Sequence, residues 1–144
     1  RASMKKGWDK EIFWSYFCAG QLQQETGKKP ELFIDNYSKA YRQDPNRAEP
    51  LLFLAQYYSS QEIHSLAYSL ASLAYSLKKP DDEMYVQDWV YEYGIIESLS
   101  YSALKLENYK EARALMEQCL ECKSLPPRVR EIVETRLKFV LSKI

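Results

Sequence analysis

The sequence predicts an all-α fold, a right-handed α-solenoid of about three helical hairpins followed by a C-terminal capping helix. Three observations support this fold class. The chain has only four glycines in 144 residues, and glycine is costly inside helices. Apolar and small residues recur at intervals of three and four, which places them on one helix face. The same two-helix pattern returns along the chain, so we expect a single domain that spans residues 1–144.

The clearest hairpin occupies about residues 46–80. One face of its first predicted helix carries Leu51, Leu54, Ala55 and Tyr58. After a break at residues 59–62, the second helix carries a matching series of Leu66, Ala67, Leu70, Ala71 and Ala74. Pro80 is expected to end this helix. Small side chains let helix axes approach to about 8–10 Å, and the pattern resembles the tetratricopeptide repeat (TPR).

The first hairpin occupies about residues 10–45 and matches the second at a shift of 34 residues, which relates Ala74 to Ala40. Its first helix carries Phe13, Tyr16, Phe17 and Gly20 on one face. Glycine and proline at residues 26–30 predict a turn, and Pro45 is expected to end the second helix.

The third hairpin is expected within about residues 81–125. The interval from Ile96 to Ala112 is 16 residues, which equals the interval from Leu51 to Ala67 in the second hairpin. This equality indicates that both hairpins place their two helices in the same register.

An insertion is predicted between the second and third hairpins, because Ala74 and Cys119 are 45 residues apart rather than 34. The extra length falls at residues 78–90, where Pro80-Asp81-Asp82 can stop one helix and cap another. We therefore predict an irregular segment and then a long helix from about Met84 to Lys105.

The capping helix is expected at about residues 127–144, after the break at Leu125-Pro126-Pro127. Its predicted apolar face contains Val129, Ile132, Val133, Leu137, Val140 and Leu141. A stack of hairpins needs such a cap, because its last hairpin would otherwise expose an apolar side.

Composition argues against several classes of partner. Twenty basic residues balance twenty acidic ones, whereas a nucleic-acid-binding protein normally has a basic excess. No apolar run of about 18 residues occurs that could insert into a membrane. The three cysteines form no visible disulfide framework, which favours a reducing compartment, and we expect a cytoplasmic protein.

No catalytic group, metal site or cofactor is predicted. A nucleophilic triad needs a histidine beside a serine or cysteine. The single histidine, His64, lies near a turn, where contact with water or a backbone carbonyl is the simpler interpretation. Cys119 and Cys122 have too few companion ligands for zinc. The acidic run at residues 81–83 is interpreted as a helix cap, and the alternative of a metal-binding cluster has less support.

A stack of this kind has a concave groove, which the first helix of each hairpin lines. The template places eleven candidate contact residues in or beside this groove: Trp14, Phe17, Gln21, Arg47, Glu49, Leu52, Gln56, Ser59, Glu97, Tyr101 and Leu104. Aromatic anchors among polar groups are typical of recognition surfaces. The alternative for Trp14 and Phe17 is that they are buried in the stack or under a neighbouring domain.

Eight segments carry a narrower resemblance: Gly7 to Ser15, Ala40-Tyr41, Arg47 to Leu51, Leu54 to Tyr58, Met84 to Val86, Val90-Tyr91, Asn108 to Ala112 and Glu117 to Leu120. Together they resemble the TPR-like module attached to family 2 glycosyltransferases, over about residues 7–137. The most distinctive string is Arg47-Ala48-Glu49-Pro50-Leu51. Ser59 follows the pair Tyr57-Tyr58 where that family often has arginine, so no ligand role is carried over to this position.

The resemblance implies that the chain is the accessory region of a larger glycosyltransferase, and that Arg1 marks the cut from that enzyme. The alternatives for a chain that begins with Arg1 are a processed product and the remnant of an added sequence. The nucleotide sugar and divalent metal would then belong to the catalytic domain, because no alternation of strands and helices is predicted here. The module itself would bind an acceptor, position the linked domain or form a homodimer. The alternative is a stand-alone adaptor that binds a peptide, a helix or another protein in its concave groove.

Overall fold

Seven α-helices and no strand are present in the residues that the structure describes. The computed structural model describes the backbone of residues 2–81 and 85–144, and the side chains of residues 7–81 and 85–144. The helices are α1 (Ala2–Glu25), α2 (Pro30–Gln43), α3 (Glu49–Ser60), α4 (His64–Tyr75), α5 (Ile95–Lys105), α6 (Tyr109–Leu120) and α7 (Pro127–Leu141). None of these helices, in the described part of the chain, is long and apolar enough to cross a membrane.

The helices pair in chain order into three hairpins: α1 with α2, α3 with α4, and α5 with α6. Neighbouring hairpins contact each other through α2 and α3, and through α4 and α5. The last helix, α7, packs against α6. The predicted all-α solenoid of helical hairpins with a C-terminal helix is therefore confirmed.

Proline marks the beginning of three helices. Pro30, Pro50 and Pro127 lie in the first turn of α2, α3 and α7. The backbone N–H groups of a first turn have no partner within the helix, so the missing N–H of proline costs no hydrogen bond there. These prolines separate each helix from the preceding segment without weakening it.

Small residues at the contacts between hairpins are buried, as the repeat pattern predicts. Ala40, Ala74 and Cys119 occupy matching positions on α2, α4 and α6, and their exposed fractions are 0%, 0% and 1%. Larger apolar side chains fill the space around them, and each contributes about 1.5–3 kcal/mol when it is fully buried. The described core residues form three buried clusters, and the partly buried Leu70 packs against all three.

The turns inside the three hairpins share one backbone geometry. Each has a residue with positive φ after its first helix: Gly27 at 72°, Glu62 at 63° and Glu107 at 62°. The next N–H donates to a carbonyl five residues earlier, in the pairs Lys28–Gln23, Ile63–Tyr58 and Asn108–Ala103, each at 2.9 Å. This is the Schellman arrangement, which ends a helix and reverses the chain.

Replacing Glu62 by glycine should stabilise the protein. A left-handed backbone costs an L-residue about 1–2 kcal/mol, whereas glycine adopts it freely but loses more conformational entropy on folding. We expect Glu62→Gly to raise the free energy of unfolding by about 0.5–1 kcal/mol in urea denaturation. The reverse change at the matching position, Gly27→Ala, should lower it by a similar amount. A Glu62→Gly protein less stable than the parent would contradict the assignment of strain to this turn.

The insertion between the second and third hairpins is irregular, as predicted, but its helix bounds differ from the prediction. α4 ends at Tyr75, so Pro80 does not terminate it. Among the described residues, the next helical backbone begins at Asp88, and residues 82–84, which include Met84, lie outside them. A π-helical segment, Val90–Gly94, then leads directly into α5. The long helix is therefore shorter than expected and contains a wider turn.

The capping role predicted for the acidic run is wrong for Asp81, which is exposed and does not begin a helix. Asp82 and Glu83 lie outside the described residues. The prediction failed because it used only local capping signals. The C-terminal end of the insertion is instead held by hydrogen bonds to Glu49, at the start of α3.

A buried ion pair anchors this end of the insertion. Arg47 donates to both carboxylate oxygens of Glu49, through Nε at 3.1 Å and Nη2 at 2.7 Å. The two side chains are 2% and 0% exposed. Glu49 also accepts hydrogen bonds from the Tyr91 hydroxyl at 2.7 Å and from the Gln87 N–H at 3.3 Å. We call Arg47, Glu49 and Tyr91 the clasp.

The clasp joins α1, α3 and the insertion. Arg47 donates to the Tyr85 carbonyl at 3.0 Å, and its guanidinium carbon lies 4.5 Å from the centroid of the Phe13 ring. Tyr85 has φ of 64°, which is unusual for a bulky residue, and its ring stacks on Trp14. Burial, together with the nearby Glu49 carboxylate, raises the pKa of Tyr91 well above its ordinary value. Tyr91 therefore stays protonated and keeps donating to Glu49.

The predicted apolar face of α7 is only partly buried. Val133 and Val140 are fully buried, and Val129 and Leu137 are partly buried against the same core. Ile132 and Leu141 were assigned to this face as well, but they are 39% and 44% exposed, so that assignment was wrong. As the last helix described, α7 packs on one side only, and the stripe that it buries is narrower than the predicted face.

Candidate interaction surface

A groove lies between α3, α5 and α7. It contains a cavity of about 300 Å³ that is lined by Gln56, Ser59, Ser60, Glu97, Ser98, Tyr101 and Arg136. We call these seven residues the groove site. The last two turns of α3 supply an amide and two hydroxyls, α5 supplies a carboxylate, a hydroxyl and an aromatic ring, and α7 supplies a guanidinium. The site therefore offers several polar groups around one flat ring.

Arg136 links α7 to α5 in the groove site. Its Nη1 donates to Glu97 Oε1 at 2.6 Å, and its guanidinium carbon lies 4.3 Å from the centroid of the Tyr101 ring. The Arg136 and Glu97 side chains are 25% and 23% exposed, so solvent screens their attraction, and such pairs add only about 0–1 kcal/mol of stability. Arg136 thus packs on the Tyr101 ring while it pairs with Glu97.

A second cavity, of about 490 Å³, adjoins the groove site at Tyr101 and Arg136. Its other lining residues are Leu104, Lys105, Glu107, Tyr109, Thr135 and Phe139. We call it the end cavity. The rings of Tyr109 and Phe139 meet edge to face, with centroids 6.5 Å apart. Aromatic and aliphatic groups therefore form much of its wall.

Five of the eleven predicted contact residues lie at these two cavities. Gln56, Ser59, Glu97 and Tyr101 line the groove site, and Leu104 lines the end cavity. All five belong to α3 or α5, which are the first helices of the second and third hairpins. The structure thus brings these two helices together along one open surface.

Four other predicted contact residues are buried. Phe17, Glu49 and Leu52 have an exposed fraction of 0%, and Arg47 has 1%. Phe17 packs among aromatic rings, and Arg47 and Glu49 belong to the clasp. We remove these four from the candidate contacts, because a side chain without accessible surface cannot touch a partner. The template assigned them to a helix face, but the insertion and neighbouring rings cover that face.

The remaining two candidates, Trp14 and Gln21, lie on α1 and line neither cavity. Trp14 is half-buried and stacks on Tyr85, with ring centroids 4.9 Å apart and an interplanar angle of 12°. The insertion therefore partly covers the surface of the first hairpin where Trp14 lies.

Sequence reasoning missed Ser60, Ser98 and Arg136. Arg136 was missed because α7 was treated only as a cap whose apolar face points inward. A signal was present, since Ile132, Arg136 and Phe139 follow each other at spacings of four and three residues. Residues at such spacings share one helix face, so this stripe indicates a second, outward-facing surface on α7.

His64, the side chain considered for catalysis, packs against another aromatic residue. His64 begins α4, and its ring lies edge-on to Tyr101 with centroids 6.1 Å apart. Its Nδ1 is shielded from solvent and has no hydrogen-bond partner among the described residues. Residues 7–81 and 85–144 contain no group of three or more His, Cys, Asp or Glu side chains that could hold a metal ion.

Burial, followed by the charge of Glu97, raises the pKa of Cys119 from 9.0 to about 11. A thiol with a raised pKa is a poor nucleophile near neutral pH. Between about pH 9 and pH 11 the unfolded chain releases this proton while the folded protein keeps it. The unfolded state then binds fewer protons, so the free energy of unfolding falls as the pH rises through this window.

Urea denaturation at about pH 8 and about pH 10 should therefore show a larger loss of stability for the parent protein than for Cys119→Ala. The comparison isolates this thiol, because every other titrating group is common to both proteins. Equal losses in the two proteins would contradict the expected contribution of Cys119.

Comparisons with known proteins agree with this architecture. No protein-family model matches the chain, and no curated protein sequence matches it. Among solved structures, the Arabidopsis OM64 TPR domain is similar, with a TM-score of 0.68 and 16% sequence identity. The match covers 90% of this chain and 97% of that one. At this identity the likeness establishes the fold, a TPR-like stack of helical hairpins.

Proposed function

We propose that this chain is a non-catalytic recognition module that binds an extended segment of a partner protein in the groove site. The observation that carries the proposal is the open cavity of about 300 Å³ between α3, α5 and α7, with Tyr101 among polar side chains. Binding sites typically combine an apolar or aromatic surface with a few polar groups that fix orientation. The fold adds support, because helical-repeat stacks typically bind along their concave surface.

The groups of the groove site suit the backbone of an extended peptide. The Gln56 amide can donate and accept at once, and the Ser59 hydroxyl can do the same. The Ser60 hydroxyl already donates to the Tyr57 carbonyl at 2.5 Å, so it can serve a peptide only as an acceptor. The Tyr101 ring offers a flat surface to a side chain or a peptide plane. Because Arg136 already holds this ring, little side-chain entropy remains to be lost on binding.

Selection from a random peptide library displayed on phage, against the intact chain, tests the proposal. We expect enriched peptides whose affinity falls at least about tenfold, or about 1.4 kcal/mol, in Gln56→Arg. Gln56 is exposed, so this change should leave the fold intact. Gln118→Arg is the matched control, because Gln118 is exposed on α6 and lines neither the groove site nor the end cavity.

A second pair of variants extends the test to aromatic groups. Tyr101→Ala changes the groove site, whereas Trp14→Ala changes a ring on α1 outside both cavities and should leave binding unchanged. Tyr101→Ala should abolish binding of the enriched peptides while circular dichroism confirms the helical content. Undiminished binding to a protein with both changes, or no enriched peptide at all, would rule out the groove site as the binding surface.

A finer proposal is that the module is the accessory region of a larger glycosyltransferase, where it positions a linked catalytic domain, binds an acceptor or forms a homodimer. It rests on the sequence resemblance centred on residues 47–51. Since Arg47 and Glu49 are buried in the clasp, this resemblance concerns how the module folds rather than what it binds. The open reading frame upstream of Arg1 is the test. Absence of an α/β domain with an Asp-x-Asp-like motif would separate the module from that class of enzyme.

A further inference from the structure

The end cavity leaves apolar surface open to solvent. Tyr101 and Leu104 form its wall on α5, Tyr109 its wall on α6, and Phe139 its wall on α7. Phe139 is 49% exposed, although its neighbour Val140 is fully buried. A volume of about 490 Å³ lies within the range of about 300–1,000 Å³ that is usual for ligand pockets. A bulky apolar side chain could therefore enter without any rearrangement of the helices.

Three cations lie against the aromatic rings of this cavity. Lys105 Nζ and the Arg136 guanidinium carbon lie 5.6 Å and 4.3 Å from the centroid of the Tyr101 ring. Lys143 Nζ lies 5.4 Å from the centroid of the Phe139 ring. These distances place the charged groups over the faces of the two rings, which line the apolar wall of the cavity. The cavity therefore combines an apolar interior with positive charges at its edge.

Nearby acidic groups offset this charge only in part. Glu97 pairs with Arg136 at 2.6 Å, and Glu107 is the acidic side chain in the cavity lining. Lys105 and Lys143 add two further cations at the edge. Residues 135–144 contain three basic side chains and no aspartate or glutamate. Negative groups on a ligand, placed beside an apolar anchor, would be complementary to this edge.

From this juxtaposition we propose that the end cavity binds an aromatic or large aliphatic side chain flanked by acidic residues, on a peptide that continues into the groove site. The inference rests on the proposed function and adds the chemistry of the peptide. The anchor fills the space between Tyr101, Tyr109 and Phe139, while its acidic neighbours meet Lys105 and Lys143. Tyr101 and Arg136 line both cavities, so one extended peptide can occupy both.

Fluorescence anisotropy with three labelled peptides tests this inference on the intact chain. The first peptide has a tryptophan between two pairs of aspartates in a Gly-Ser background. The second has serine in place of the tryptophan, and the third has lysines in place of the aspartates. Only the first is expected to bind, and its affinity should fall as salt is added, because salt screens attraction between exposed charges.

Two variants locate the binding of the first peptide. Lys105→Glu and Phe139→Ser should each weaken it at least about tenfold. Lys123→Glu is the control for charge, because Lys123 is exposed and lines neither cavity. Leu141→Ser is the control for lost apolar surface, because Leu141 is 44% exposed on α7 and lies outside the cavity lining. Both controls should bind like the parent.

Equal binding of all three peptides, or indifference of the first to both variants, overturns the inference. So does a sedimentation coefficient that shows self-association of the parent but not of Phe139→Ser, since the occupant would then be a second copy. The library selection separates the two proposals. Enriched peptides that lack acidic residues, but whose binding is weakened by Gln56→Arg, would contradict this inference alone. If Gln56→Arg weakens the binding of no enriched peptide, the proposed function is contradicted as well.

Discussion

Replacing Arg47 by alanine is expected to lower the free energy of unfolding by about 3–5 kcal/mol, because it leaves a buried carboxylate without its counter-charge. Glu49 is 0% exposed and receives two hydrogen bonds from Arg47. Its other donors, the Tyr91 hydroxyl and the Gln87 N–H, are neutral and cannot replace the lost charge. Urea denaturation monitored by circular dichroism measures the change.

A surface pair provides the matched control for this prediction. Arg113 and Glu117 form an ion pair between side chains that are 48% and 51% exposed, so Arg113→Ala should change stability by no more than about 0.5 kcal/mol. Changing both clasp charges together, with Arg47→Met and Glu49→Leu, should cost less than Arg47→Ala alone, because no unpaired charge is left inside. An Arg47→Ala protein as stable as Arg113→Ala would show that the clasp does not hold the fold.

Replacing Phe17 by alanine should cost about 3–5 kcal/mol of unfolding free energy, since it removes a fully buried aromatic side chain and leaves a cavity. Phe17 is 0% exposed. Its ring centroid lies between 5.0 and 6.2 Å from four others, those of Phe13, Trp14, Tyr37 and Phe53. Thermal unfolding followed by circular dichroism measures the loss.

The control for Phe17→Ala is Leu22→Ala on the same helix. Leu22 is 61% exposed, and surface substitutions usually change stability by less than about 0.5 kcal/mol. If both changes lowered the free energy of unfolding by the same amount, the Phe17 side chain would not be required by the core. Phe17 would then again be a candidate contact residue.

The helices and their turns were predictable because their signals are local. Small residues at matching positions, such as Ala40 and Ala74, specify where two helices approach closely. Prolines mark the first turns of α2, α3 and α7, although Pro80 does not mark the end of α4. The geometry of the hairpin turns was encoded locally only at Gly27, where glycine allows the positive φ. Glu62 and Glu107 adopt the same backbone because the packed helices on either side require it.

The candidate surface was predictable only in part. The repeat template assigned Gln56, Glu97 and Tyr101 to the groove-facing sides of α3 and α5, and the structure places these three residues around one cavity. The template also assigned Phe17 and Leu52 to the groove-facing side, but it could not show that other side chains bury them. It also gave no role to Arg136, which comes from a helix outside the repeats.

By itself, the sequence determined the order of the helices, their pairing into hairpins and the place of the insertion, since spacing and turn residues act over a few positions. Only the tertiary structure decided which residues of a helix face stay accessible. That outcome depends on contacts between positions far apart in the chain, such as Glu49 with Tyr91 and Glu97 with Arg136. Spacing along one helix carries no information about which side chains of another segment will pack against it. The clasp and the groove site were therefore visible only in the folded protein.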